Sequence, residues 1–261
     1  MRYTLIILFL LSSLSFASFI EGPFISNVRR DSVVIWWNSD PPIGGRLFLD
    51  GRIFKDNKPP FEIHIKGLTP STLHRYYVVL SNGKRLPKKG YYRFYTASKE
   101  KEPFRFAVLA DSRGGSIIEL ITLSIRPVNE DILSSIVNDL RKRNVRFICF
   151  LGDMVYGYCK KKKELIKELR IWKRVVSPIM HEIPIYVAMG NHDTVVHKVE
   201  KDGNVYVIDG IRKDGKIIFS EDIISDEFVN PENSPKREEK KLYHIKKLPI
   251  HLIGEIPTFS S

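Results

Sequence analysis

Three apolar runs in the second half of the chain each stop at a small polar cluster. Phe106-Ala107-Val108-Leu109-Ala110 ends at Asp111-Ser112-Arg113-Gly114-Gly115. Phe147-Ile148-Cys149-Phe150-Leu151 ends at Gly152-Asp153-Met154-Val155-Tyr156. Ile185-Tyr186-Val187-Ala188-Met189 ends at Gly190-Asn191-His192-Asp193. Short apolar runs of this kind read as buried strands. Successive clusters lie roughly 40 residues apart, about the length of one βαβ unit. Between them, Ile132, Leu133, Ile136, Val137 and Leu140 recur at helical spacing. Arg141-Lys142-Arg143 follows, where cations suit the helix dipole. Leu165, Ile166, Leu169, Trp172 and Val176 mark a second amphipathic helix. The order β-α-β-α-β from Phe104 predicts a parallel sheet with helices on its faces. In such a sheet the three strand ends share one edge, the edge where open α/β sheets bind ligands.

The clusters carry a consistent chemistry. Asp111 and Asp153 are anionic oxygen donors, Tyr156 offers a phenolate, Asn191 a neutral amide oxygen, and His192 a transferable proton. This mixture suits divalent and trivalent Mn, Fe and Zn. Two carboxylates in one pocket repel unless a cation sits between them. A carboxylate can bridge two metals about 3.5–4 Å apart, the spacing used for in-line phosphoryl displacement. Each residue has a plainer reading. Asp111 and Asp153 could be helix N-caps, Tyr156 a packing aromatic, Gly190-Asn191 a turn and His192 a surface side chain. The ordered recurrence of all three clusters after strands argues against those readings taken together.

Residues 18–97 read as an all-β module. Ser32 to Trp37 is rich in β-branched and aromatic residues. Arg46 to Leu49 precedes a turn at Asp50-Gly51. Phe61 to Ile65 alternates apolar and polar, and Tyr76 to Leu80 and Tyr92 to Thr96 complete the series. Strands and turns at this spacing indicate a sandwich. Residues 98–103, charged and ending in Pro103, read as a linker to a second domain over 104–261. Asp202-Gly203-Asn204 and Asp214-Gly215 read as hairpin turns. His64 and His74 read as structural, and His181 as solvent-exposed.

Gly67-Leu68-Thr69-Pro70-Ser71-Thr72 before a Tyr-rich strand, with Phe94-Tyr95-Thr96-Ala97 at the close, resembles a fibronectin type III-like domain. The strand-Asp-x-Arg, Gly-Asp-x-x-Tyr and Gly-Asn-His-Asp series resembles the calcineurin-like metallophosphoesterase superfamily. Many members carry a ligating histidine where Arg113 stands, and an always-protonated Arg113 cannot ligate. Purple acid phosphatases also lack that histidine and use the tyrosine, as Gly152 to Tyr156 would allow. They also begin with a domain of the fibronectin-like kind.

The resemblance implies a fibronectin type III-like sandwich followed by an α/β metallophosphoesterase domain. It implies two metal ions, Fe with Mn, Zn or Fe. Asp111 and Tyr156 would bind the first, Asp153 would bridge, and Asn191 would bind the second. His192 would contact the phosphate and protonate the leaving oxygen, and Asp193 would orient His192. The nucleophile would be metal-bound hydroxide, and Arg113 would reach the substrate phosphate. The family also supplies later histidines, including a Gly-His-x-His. Only His197, His244 and His251 follow here, none in that motif. The expectation is an incomplete phosphoesterase domain from a truncated or frameshifted reading frame diverging near Lys241, with low activity.

Met1-Arg2, the apolar run to Leu14 and Ser15-Phe16-Ala17 form the pattern of a cleaved signal over 1–17. The run is short of the ~20 residues that span a bilayer, so an extracytoplasmic protein without a membrane span is expected. The two cysteines, Cys149 and Cys159, could pair in an exported protein, but Cys149 reads as a free core thiol. The formal net charge of +12 favours anionic partners, phosphate esters first. Its densest run, Lys160 to Lys163, reads as a solvated helix face rather than a nucleic-acid patch. A non-catalytic secreted scaffold and a secreted nuclease remain as alternatives.

Overall fold

The computed structural model describes residues 19–230 apart from 57, 100, 115–125, 202–203 and 214–215. The apolar leader, His244 and His251 lie outside the described residues.

Eight strands form the first module: β1 (Phe19–Ser26), β2 (Ser32–Asp40), β3 (Gly45–Leu49), β4 (Arg52–Asp56), β5 (Phe61–Lys66), β6 (Leu73–Leu80), β7 (Arg85–Leu86) and β8 (Tyr92–Tyr95). They make the expected sandwich of antiparallel sheets. One sheet has the order β1-β2-β5; the other runs β4-β3-β6-β7, with β8 also on β6. Asp50 and Gly51 both have positive φ, as the tight β3–β4 hairpin requires. Along β5, Phe61, Ile63 and Ile65 point inward while His64 and Lys66 face water. The sequence reading marks no strand before Ser32. The structure has β1 there, and its register shifts between Glu21 and Phe24, around Gly22-Pro23.

Strand β2 explains its unbroken apolar run, because both its faces are buried. Val33, Ile35 and Trp37 enter the sandwich core, whereas Trp36 belongs to the core of the second module. Phe24 and Ile25 of β1 divide in the same way.

The second module contains β9 (Arg105–Leu109), α1 (Glu130–Leu140), β10 (Val145–Phe150), α2 (Lys162–Met180) and β11 (Ile185–Val187). The three strands are parallel in the order β11-β10-β9, as expected from the sequence. The side chain of Asn129 caps α1 by accepting from the Ile132 N–H. Leu133, Val137 and Leu140 of α1 and Leu165, Leu169, Trp172 and Val176 of α2 pack on one face of the sheet. There they meet Ile148, Phe150, Ile185 and Val187. Two hairpins follow, β12 (Val196–Lys201) with β13 (Asn204–Asp209) and β14 (Ile211–Lys213) with β15 (Lys216–Ile218). Helix α3 (Ser220–Glu227) then returns to the core through Ile223 and Ile224. Both cysteines are free. Cys159 is buried, but Cys149 is only half-buried, because it points to the sheet face away from the helices.

His181, expected at the surface, is half-buried between the modules. Its ring lies 4.1 Å from that of Tyr92 and 5.5 Å from that of Phe24. Its Nδ1 donates to the Pro23 carbonyl at 2.6 Å, and the Tyr76 hydroxyl donates to its own carbonyl at 2.7 Å. The docking of β1 and β8 encloses its ring. Nearby, Lys173 is 1% exposed and donates to Glu21 of β1 at 2.5 Å and to Glu227 of α3 at 2.8 Å. A buried ammonium needs such partners to offset its desolvation.

Burial lowers the His181 pKa to about 4. The fold therefore holds the neutral ring. Its contribution is intact above the ordinary value near 6.5 and is lost as the pH falls from there to about 4. Denaturant unfolding is expected to show a loss of about 3 kcal/mol across that window. A His181→Gln chain should be less stable at pH 7 and lack this component of the acid loss.

Candidate active site

The clusters after β9, β10 and β11 meet at one edge of the parallel sheet. The Asp111 N–H donates to the Gly152 carbonyl at 3.2 Å, and the Arg113 N–H to the Asp153 carbonyl at 3.2 Å. These bonds join the first loop to the second. The His192 N–H donates to Asp153 Oδ1 at 3.0 Å, joining the second to the third. Gly152, at φ +94°, lets the second and third loops touch through their backbones. A Cβ there would overlap Gly190. Gly157, at φ +64°, is tighter still, since a Cβ would fall onto the His192 carbonyl oxygen. Asp111 and Asp153 also have positive φ, at 55° and 53°. For residues other than glycine this is sparsely populated and clusters at functional sites.

Of the residues singled out from sequence, Asp111 and Asn191 are exposed at the rim, Tyr156 is half-buried and Asp153 is buried. Neither Asp111 nor Asp153 caps a described helix; the caps of α1 and α2 are Asn129 and Lys161. Arg113 Nε lies 3.5 Å from Asp153 Oδ2. Arg113 thus faces the carboxylate expected to bridge two cations, and its Nε makes no hydrogen bond among the described residues.

Asp193, expected to orient His192, makes its described hydrogen bonds to other groups. His192 is oriented by Tyr156, whose carbonyl accepts from His192 Nδ1 at 2.7 Å. Asp193 is fully buried and accepts instead from the Val155 N–H at 3.2 Å and the Gly190 N–H at 2.9 Å. One carboxylate therefore ties the second loop to the third. Burial pushes its pKa up to about 6, against the pull of those N–H donors.

Two side chains escaped the sequence reading. Tyr158 accepts from Asn191 Nδ2 at 2.6 Å, and its ring meets His192 edge-on at 4.6 Å. Its place two residues after Tyr156, across Gly157, is the only trace of this in the sequence. Trp172 of α2 donates to Ser112 Oγ at 3.0 Å, and Ser112 donates to the Met154 carbonyl at 2.9 Å. A core tryptophan thus props the first two loops, a contact that no spacing encodes. His197 Nδ1 is bonded to the Gly210 carbonyl at 2.6 Å, within the hairpin region.

Among the described residues no three His, Cys, Asp or Glu side chains form a metal cage. The donors expected from the sequence lie on these three loops and are oxygens of mixed type: the Asp111 and Asp153 carboxylates, the Tyr156 phenol and the Asn191 amide. That set fits hard or borderline cations.

Removing the Asp193 carboxylate strands two buried N–H donors. Asp193→Ala is expected to lower stability by about 2–4 kcal/mol, measured by denaturant unfolding. It should also loosen the Gly190–His192 loop, read as faster amide exchange there.

Comparison with known proteins supplies the family. The model of the calcineurin-like phosphoesterase family matches residues 104–253, over half of the chain. No curated protein matches the chain. Among solved structures, a purple acid phosphatase from yellow lupin (Lupinus luteus) seeds is similar at 17% identity and a TM-score of 0.46. It is covered over 35% of its length by 65% of this chain. PhoD is similar at 14% identity and a TM-score of 0.46, over 39% of its length and 67% of this chain. The central fibronectin-III array of RIM-binding protein matches 33% of this chain and 34% of its own, at 24% identity and a TM-score of 0.26. The chain thus spans little more than a third of the lengths of these structures. By the match over its second module, the chain belongs to the calcineurin-like phosphoesterase family.

Proposed function

We propose that the loop edge after β9, β10 and β11 binds metal ions and a phosphomonoester, and that hydrolysis there is slow and of the acid phosphatase kind. The observation that carries this reading is the hydrogen-bonded meeting of the three loops, which gathers Asp111, Asp153, Tyr156, Asn191 and His192 at one rim. The Gly152-Asp153-x-x-Tyr156 spacing, with Arg113 in place of a ligating histidine, supports the purple acid phosphatase-like branch.

In this reading Asp111 and Tyr156 would hold one cation, Asn191 a second, and Asp153 would serve both. When bound, such cations neutralise the phosphoryl charge and lower the pKa of water at the site. Hydrolysis adds a water oxygen to phosphorus and breaks the ester P–O bond. With Nδ1 donating to the Tyr156 carbonyl, the doubly protonated ring of His192 would have Nε2 left to give its proton to the departing oxygen, leaving a neutral imidazole. Arg113 is charged, half-buried and adjacent, and can pair with the phosphate.

Slow turnover follows from the donors. The described set lacks imidazole nitrogen, and the nearest later histidine, His197, is engaged with Gly210. Arg113 also neutralises part of the Asp153 charge that would attract a cation. That ion pair favours the second reading, a binding scaffold that keeps the site's form without its metals. An extracytoplasmic location rests on the Met1 to Ala17 pattern.

The purified chain, supplied with Mn and Fe, should hydrolyse 4-nitrophenyl phosphate slowly and lose that activity to a chelator. His192→Ala should lower kcat about 10²–10³-fold at unchanged metal content, and Asp153→Asn should abolish metal uptake. Hydrolysis indifferent to both chelator and His192→Ala would sink the catalytic reading. Absence of metal uptake by the unaltered chain would select the scaffold.

A further inference from the structure

Tyr158 reaches the site from backbone that an aromatic residue rarely adopts, at φ +49°. Three hydrogen bonds hold the segment there. The Gly157 N–H donates to Glu168 Oε2 of α2 at 2.9 Å. The Tyr158 N–H donates to the His192 carbonyl at 3.3 Å, and the Cys159 N–H to the Thr194 carbonyl at 2.9 Å. Residues 157–159 are thus fixed between α2 and the loop that carries Asn191 and His192. Burial does not account for the ring, because Tyr158 is 41% exposed. What the strained backbone achieves is a set of contacts. The Tyr158 hydroxyl accepts from Asn191 Nδ2 at 2.6 Å, and the ring meets that of His192 edge-on. Strain of this kind gathers where a side chain must be aimed.

The contact to Asn191 makes a choice between two atoms. A side-chain amide carries an oxygen acceptor and an NH₂ donor of nearly equal shape on one carbon. Only the oxygen can hold a cation. Asn191 is exposed, so packing does not select which atom faces the site. A partner that takes the NH₂ group does select it, since the oxygen then points the other way.

We propose that Tyr158 is a positioning residue for the second cation. Its hydroxyl holds Asn191 by Nδ2 and leaves Oδ1 as the atom offered to the metal. The inference rests on the metal-binding reading above, in which Asn191 is a ligand. Groups that orient a ligand in this way commonly set the affinity of a site for its metal. A carboxylate at the same place would not need the help, because its two oxygens are equivalent. The proposal therefore predicts that the value of the Tyr158 hydroxyl depends on what stands at 191.

The test is a calorimetric titration of full-length chains with Mn. The binding step to follow is the one that Asn191→Ala abolishes. Tyr158→Phe keeps the ring and loses the hydroxyl, and should weaken that step about tenfold or more. In an Asn191→Asp background, the same Tyr158→Phe change should not weaken it. A role confined to holding the loop together would weaken both chains alike, so equal losses overturn the proposal. An undiminished step in the Tyr158→Phe chain overturns it too, as does failure of that chain to fold in a thermal unfolding scan. Mn uptake that Asn191→Ala leaves untouched, or no uptake at all, removes Asn191 as a ligand. In that case the metal-binding reading itself fails, and the proposal with it.

Discussion

The site depends on one buried carboxylate that ties two of its loops together. Asp193 accepts from the backbones of Val155 and Gly190, and so fixes the separation of two loops that arise about 40 residues apart, one βαβ unit. Around it the contacts are nearly all backbone. Gly152 lies against Gly190, Gly157 against the His192 carbonyl, and His192 N–H against Asp153. Backbone-to-backbone contact leaves little freedom for side chains to displace the loops. The functional groups are therefore carried on a frame set by glycines and one carboxylate.

The same economy joins the two modules. Strands β1 and β2 serve two cores at once, with alternate side chains directed to the sandwich and to the α/β layer. A ring of polar contacts closes the joint: His181 with Pro23 and Tyr76, and Lys173 with Glu21 and Glu227. Because β1 and α2 share buried charge, the sandwich is part of the scaffold that holds α2. Helix α2 carries Trp172, which supports Ser112 at the site. A path of packed groups thus runs from the first module to the loop edge.

Much of this was legible from residues alone. The period-2 pattern of Phe61 to Ile65 and the helical spacing of Leu165, Leu169, Trp172 and Val176 predicted both elements and their buried faces. The three polar clusters predicted that their loops would meet, since parallel strands put their ends on one edge. Other features were not legible. His181 is enclosed by Pro23, Phe24, Tyr76 and Tyr92, all remote from it in sequence. Tyr158 and Asp193 acquire their roles from loops that approach through space. Strand β1 was hidden by Gly22-Pro23, which reads as a break but forms a bulge.

The sequence by itself determined the order of elements, the three polar clusters and the family, because periodicity and motif spacing are properties of neighbours along the chain. Only the tertiary structure decided which atoms hold those clusters in place. It gave the orientation of His192 to the Tyr156 carbonyl and set Arg113 against Asp153. Hydrogen-bond partners and burial depend on distances between segments remote in sequence, and local pattern carries no record of those distances.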